Sequence, residues 1–225
     1  MARAIDRHLL SIDTHDPRDC ATDKHRTVDD EPYGGGGGMV LKPEPVHKLW
    51  QERGLEAGHC IYLTADGRPF DQALAIELSL KEQLVLLCGH YKGVDERIRT
   101  GLIDQEISVG DYVLTGGELA AMVLIDAVSR FIDGVVGSQE NVLEDSITSG
   151  LLQHPLYTRP ADFREFSVPE ILRSGNHGEI ERWRRHQSLR ATLEKRPDLL
   201  AKANLTSNDL AFLQSMGWAS PNAQD

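Results

Sequence analysis

Long apolar runs are missing from this sequence. No stretch of about 18 or more apolar residues occurs, so no segment has the make-up of a membrane-spanning helix. Cysteine is scarce: Cys20, Cys60 and Cys88 are odd in number and far apart, and neither CxxC nor HExxH occurs. A disulfide framework and a structural zinc site are therefore not expected, and no metal ligands are assigned. The N-terminal MARAIDRHLL has neither the apolar core nor the small-residue cleavage site of a secretory signal, so a cytoplasmic location without a membrane partner is expected. Positive charge is also in deficit. The formal net charge is −11, which on its own sets nucleic acid low among partners.

What is present is a chain of 225 residues, 40% hydrophobic and 26% charged, long enough to bury a real core. His59 to Thr64 (HCIYLT) and Gln83 to Cys88 (QLVLLC) are short, apolar and bounded by polar residues or glycine, as buried strands are. Between them Asp71 to Lys81 (DQALAIELSLK) predicts a helix with Asp71 as its N-cap. This strand–helix–strand rhythm predicts an α/β fold with a parallel sheet and crossover helices. Leu10 to Thr14 is a further candidate strand, and Pro43 to Arg53 a further helix, stopped at Gly54. Gly117 to Phe131 (GELAAMVLIDAVSRF) is the clearest helix. At 100° per residue, Leu119, Val123, Leu124, Ile125 and Val128 point in nearly every direction, which predicts burial on all sides, one of them a homodimer interface.

After Gly137 the character changes. Ser138 to Thr148 is polar and weakly patterned. Beyond it, Pro169 to Arg173, Asn176 to Glu194, Pro197 to Ala203 and Ser207 to Gln214 are helix candidates with little strand signal between them. The expected organisation is an α/β domain over 1–137, a linker over 138–151 and a small helical domain over 152–225. Arg173 to Arg196 carries Arg173, Arg182, Arg184, Arg185, Arg190, Lys195 and Arg196 against Glu179, Glu181 and Glu194. That local excess is compatible with a polyanion, but for the segment taken alone a solvated helix of i,i+4 ion pairs is the favoured reading.

Three glycine-rich stretches invite chemistry. The five glycines Gly34 to Gly38 fail the GxGxxG spacing, because Met39 stands where the last glycine belongs. They fail the Walker pattern as well, since Lys42 precedes Pro43. CGHYKGVDER (Cys88 to Arg97) and SVGDYVLTGGELAAM (Ser108 to Met122) follow probable strand ends. That is where parallel α/β sheets bind ligands, and where glycine lets backbone approach one. The short apolar piece Asp111 to Leu114 between those glycines is hairpin-like. Spacing alone leaves open a nucleotide-like ligand or simple tight turns.

Taken together, DKHRTVDDEPYGGGGGM, IYLTADG, CGHYKGVDER, ISVGDYVLTGGELAAM, VSRFIDGVVG, LEDS, LLQHPLYTRP and RSGNHGEIERWRRHQSL closely resemble the bacterial tRNA (guanine-N1)-methyltransferase family, TrmD, of the SPOUT superfamily, in the family's order and over nearly the whole chain. The resemblance implies a deep trefoil knot in the sheet domain and an obligate dimer with active sites between subunits. It implies tRNA as partner, docked by the linker and helical domain. The methyl donor would be S-adenosyl-L-methionine, held by loops matching Tyr62 to Ala65, Gly89 to Gly93 and Ser108 to Gly117. The implied contacts are Tyr62, Leu63, Thr64, Gly89, Gly93, Val109, Gly110, Asp111, Tyr112, Val113, Leu114, Gly116 and Gly117. The implied product is N1-methylguanosine at tRNA position 37, preceded by guanosine. Asp145 in LEDS would take the N1 proton and Arg130 in VSRF would stabilise charge on O6. Without the family match Asp145 reads as a helix N-cap and Arg130 as a helix-end cation. Asn176 and His177 read as cap residues or tRNA contacts. Against the family pattern, which begins with an apolar strand, a first strand and its turn are missing from the chain as it stands, with a mis-assigned start the simpler explanation. A tRNA-binding relative that has lost catalysis is the alternative. Lys92 stands where many members carry glutamate, which weakens the case for a magnesium ion there. Gly37 stands where the family has proline.

Overall fold

The computed structural model describes residues 1–136, 147 and 149–219. The chain divides into two compact units, Met1–Gly137 and Ser138–Asp225.

In the first unit α1 (Ala2–Asp6) is followed by a 3-10 turn at Pro17–Cys20, two short paired strands, β1 (Asp29–Asp30) and β2 (Val40–Leu41), and α2 (Pro43–Arg53). Pro43 opens α2 and Gly54, left-handed at φ 61°, closes it, the end signals that the sequence carries. Then come β3 (His59–Pro69), α3 (Gln72–Ser79), β4 (Leu84–Cys88), α4 (Glu96–Leu102), β5 (Gln105–Ser108) and α5 (Glu118–Ser129). The Asp71 carboxylate accepts from Leu74 N at 2.8 Å and caps α3 as expected. Leu10 to Thr14 forms no strand; it runs as irregular chain and pairs with none of the described strands.

The α/β class is borne out. β3, β4 and β5 form a parallel sheet in the order β4-β3-β5. Alternation along β3 sends Ile61 and Leu63 to one face and Tyr62 to the other. The first face packs with α3 and α5 around Leu74, Leu78, Ile107, Leu124 and Val128. The second packs around Val28, Leu41, Val46, Val94 and Ile98. Helices on both faces bury the sheet, which is why its strands read as continuous apolar runs.

α5 departs from the expected burial. Ala120, Ala121, Leu124 and Val128 are buried, but Leu119 (61%), Met122 (65%) and Val123 (52%) are exposed on the opposite stripe of the single chain. Asp111 to Leu114 forms a bend rather than a hairpin.

The second unit holds α6 (His177–Lys195), α7 (Pro197–Leu200) and α8 (Ser207–Ser215) around Leu151, Leu189, Leu200 and Leu213. Glu170–Arg173 is a 3-10 turn where a helix was expected. A small hairpin, β6 (Asp162–Phe163) with β7 (Phe166–Ser167), was not expected at all. Its two-residue Arg-Glu turn carries none of the glycine or asparagine signals of a tight hairpin, and Arg164 is left-handed there at φ 55°, so the local sequence does not announce it.

Candidate functional site

All three parallel strands end on the same edge of the sheet, and β3 has a neighbour reached by a crossover on either side. That is a topological switch point, where loops diverge and leave a crevice. A cavity of about 250 Å³ lies there, just under the roughly 300–1,000 Å³ usual for small-molecule sites. The end of β3 lines it with Tyr62, Leu63 and Thr64, and the loop after β4 with Gly89 and Gly93. The loop after β5 adds Val109, Gly110, Tyr112, Val113, Leu114, Gly116 and Gly117. Asp111 is exposed and is not among the lining residues. Asp66, Ile107 and Ala120 line the cavity without having been singled out in the sequence, as do His90 and Tyr91, which lie inside an expected loop; Lys92 of the same loop lines it too. A larger cleft of about 490 Å³ lies between α2 and α4, away from these strand ends.

The loops are tied together by main chain. Gly117 N donates to Gly89 O at 3.0 Å, and His90 bridges Gly116. Gly117 has φ −80°, which any residue adopts, so its need for glycine is spatial. A Cβ there would stand 2.7 Å from the Cys88 Cα. His90 Nε2 and Glu118 Oε1 meet at 2.5 Å across the start of α5. Burial pushes the Glu118 carboxyl up, but its own backbone amide and His90 outweigh that and hold it below the usual range. Tyr112 folds back over Gly110, its hydroxyl donating to Val109 O at 3.2 Å.

Tyr62 is a support under the loop as well as a wall. It is buried, and a Cβ on Gly89 would lie 3.0 Å from its ring. Desolvation raises its hydroxyl pKa, against a hydrogen bond with Thr64 and the nearby Arg99. Arg99 is held by a two-pronged pair to Glu106, at 2.7 and 2.8 Å. Beneath the loop, burial and then Glu118 push the Cys88 thiol up to about 11, so it is a neutral packing group at physiological pH.

The glycine run is attached to this site. Lys92 N donates to Met39 O (2.9 Å), Leu41 N to Gly93 O (3.0 Å) and Asp95 N to Leu41 O (3.0 Å). Gly34, Gly35, Gly36 and Gly38 have φ between 80° and 106°, a region that favours glycine. Gly37 is the one member of the run without a positive φ. A Cβ on Gly34, Gly35 or Gly37 would meet nothing within 4 Å, so the run presents bare backbone beside the cavity loop. The Lys92 side chain lies along Gly36 and Gly38, and the neighbouring Tyr33 is fully exposed.

Of the two expected catalytic residues, Arg130 is not in the cavity wall. Arg130 caps the C-terminus of α5. At 1.5 Å per residue, the 12 residues of that helix set it about 18 Å from the Gly117 end. Asp145 lies outside the described residues. Asn176 is the N-cap of α6, accepting from Glu179 N at 3.4 Å, and His177 is the first residue of that helix. Among the described residues no group of three or more His, Cys, Asp or Glu is arranged to hold a metal ion, and no helix is long and apolar enough to cross a membrane.

Residues 1–202 match the family described as tRNA (Guanine-1)-methyltransferase TrmD. The chain is 53% identical over 225 residues to a protein of Chloroflexus aggregans named tRNA (guanine-N(1)-)-methyltransferase, covering 97% of this chain and 88% of that relative. A Dehalococcoides mccartyi protein of the same name is 51% identical over 217 residues, with 95% and 88% covered. One from Staphylococcus haemolyticus is 50% identical over 216 residues, with 96% and 88% covered.

Proposed function

The chain belongs to the TrmD family of tRNA (guanine-1)-methyltransferases, and on that premise we propose a division of labour among its residues. It is a tRNA (guanine-N1)-methyltransferase. The substrate guanosine is the one at position 37, preceded by guanosine. The observation that carries this reading is the convergence of three post-strand loops on one cavity, with the bare glycine run hooked to its rim.

The cavity suits S-adenosyl-L-methionine. Its walls are main chain at Gly89, Gly110, Gly116 and Gly117 and apolar side chains at Val113 and Leu114, and among the described residues Lys92 at the rim is the one lysine or arginine that lines it. When bound, that donor supplies an electrophilic methyl group and leaves as a neutral thioether. The protein's part is to align the acceptor, exclude water and move one proton. Guanine N1 is protonated at neutral pH and is a poor nucleophile until that proton goes. Asp145 accepts it, and the Arg130 guanidinium stabilises the charge that builds on O6. The open backbone of Gly34 to Gly37 gives the target guanosine and its neighbour room to pack against main chain.

Arg130, a helix length from its own chain's cavity, serves the cavity of a second subunit. The exposed stripe Leu119, Met122 and Val123 of α5 supports a homodimer. The order β4-β3-β5 is compatible with a SPOUT-type trefoil knot. The helical unit docks tRNA through the cations of α6, and the enzyme works in the cytoplasm.

The test is tritium transfer from labelled S-adenosylmethionine to a transcript with guanosine at 37, against one with adenosine at 36. Asp145→Asn abolishes transfer while donor binding persists. Near-normal turnover in that variant sinks the base assignment, and equal transfer to both transcripts sinks the specificity.

A further inference from the structure

Tyr91, on the cavity rim, has a backbone that a tyrosine rarely adopts. Its φ is 62°, at the first central position of the turn closed by Gly93 N donating to His90 O at 3.1 Å. Glycine is favoured there. The Tyr91 side chain is half exposed, so burial does not offset the cost. A strained residue persists only where its surroundings over-determine it.

One long-range contact does so. Arg18 Nη2 donates to the Tyr91 hydroxyl at 3.1 Å. Arg18 is itself framed. It lies on the Pro17–Cys20 turn, where its amide donates to the Asp16 carboxylate at 2.9 Å. Its Nη1 donates to Arg26 O, and Arg26 Nε donates back to Arg18 O, both at 3.1 Å. Arg26 is also left-handed, at φ 52°. Its turn is locked by the Asp23 carboxylate, which accepts from His25 N, Thr27 N and Thr27 Oγ1. Among the described residues Arg18 forms no ion pair; its guanidinium goes to two neutral acceptors. A cation framed so closely and pointed at one hydroxyl acts as a strut.

We propose that Arg18 is a positioning residue for methyl-donor binding: it holds Tyr91, and through it the Gly89–Gly93 loop, at the cavity. The inference rests on the reading of that cavity as the donor site. With Lys92 N tied to Met39 O, the strut completes a two-sided suspension of the loop.

S-adenosylhomocysteine is the probe, with affinity read by calorimetry on the full chain. Arg18→Gln and Tyr91→Phe each weaken binding about fivefold, the worth of one partly exposed hydrogen bond. The double variant is no weaker than the worse single, because both remove the same contact. The Michaelis constant for the donor rises by the same factor and kcat at saturation holds, a split that a purely structural role would not give. Arg18→Lys recovers part of the loss. Hydrogen exchange at the Lys92 and Gly93 amides of the ligand-free variants speeds up, with thermal melting unchanged. Unaltered affinity in either single variant, or losses that add in the double, overturns the strut. If the wild type does not bind the probe, the cavity reading fails instead, and unchanged exchange at Lys92 and Gly93 then overturns the strut on its own.

Discussion

Replacing Gly117 by alanine puts a methyl group where the start of α5 crosses the end of β4. The new Cβ would stand 2.7 Å from the Cys88 Cα, and 3.2 Å from both the Cys88 Cβ and the Gly89 N. All three atoms belong to a strand end or to the loop just beyond it, so no flexible side chain can swing away. Reaching an ordinary contact of about 3.4 Å needs a separation of about 0.7 Å. That movement stretches the Gly117 N–H to Gly89 O bond from 3.0 Å to beyond hydrogen-bonding range. Overpacking of this kind costs roughly 1–3 kcal/mol, and the lost bond about 1 kcal/mol more. A total of roughly 2–4 kcal/mol lowers the melting temperature by roughly 5–12 °C. Since both partners line the cavity, affinity for S-adenosylhomocysteine falls with it. Gly101→Ala is the control: it lies in α4, where an added Cβ meets nothing within 4 Å. That change stabilises by about 0.5–1 kcal/mol. Calorimetric melting and binding on the three proteins decide the matter. A Gly117→Ala protein that melts and binds like the wild type refutes the close-approach argument.

The exposed stripe of α5 is tested by Val123→Glu, which leaves the single chain folded because Val123 is half exposed there; light scattering at micromolar concentration then reports a monomer, and an unchanged dimer mass rejects the interface. For Asp209, burial pushes the carboxyl up, but Arg185 and the Thr206 amide and hydroxyl outweigh it and hold it below the usual carboxylate range. The stability this gives is present above about pH 4 and is lost as pH falls through the lower folded value, so acid melts followed by circular dichroism steepen in the wild type and flatten in Asp209→Asn. Arg184→Gln reduces the log–log salt slope of tRNA binding by about 0.7–0.9 with melting unchanged, whereas Arg185→Gln lowers melting by releasing Asp209.

Elements whose signals are local were legible in the sequence. Asp71 caps α3 by its own side chain, Gly54 ends α2 by its own φ, and Asn176 caps α6. The cavity loops were legible too, since strands that run parallel must bring their following loops to one edge. What escaped depends on contacts distant in sequence. β3 runs on to Pro69 because Gly67 approaches the backbone of Glu106 and Ile107 too closely for any Cβ, with the pairing shifted between Leu63 and Arg68. Helical periodicity put apolar residues all round α5 but not which of them its own chain covers. The Arg18–Tyr91 contact spans 73 residues, and no local pattern announces it.

The charge balance gains a different meaning from the placement of its pairs. A protein with net charge −11 meets a polyanion through local excess, because screening confines each cation's influence to about 10 Å. Within α6 the cations are not equivalent. Arg182 pairs with Glu179 at 2.9 Å, and Arg185 is committed to the buried Asp209. Arg196, just past the helix, pairs with Asp198 at 2.7 Å. Among the described residues Arg184 and Arg190 are exposed and have no carboxylate within reach. The list of basic residues therefore overstates the unpaired positive charge of this helix. Pairing removes some cations from α6 and leaves others, and in the proposed docking of tRNA on this helix it is this partition, rather than the global sum, that would set how many counterions an RNA phosphate chain releases on binding.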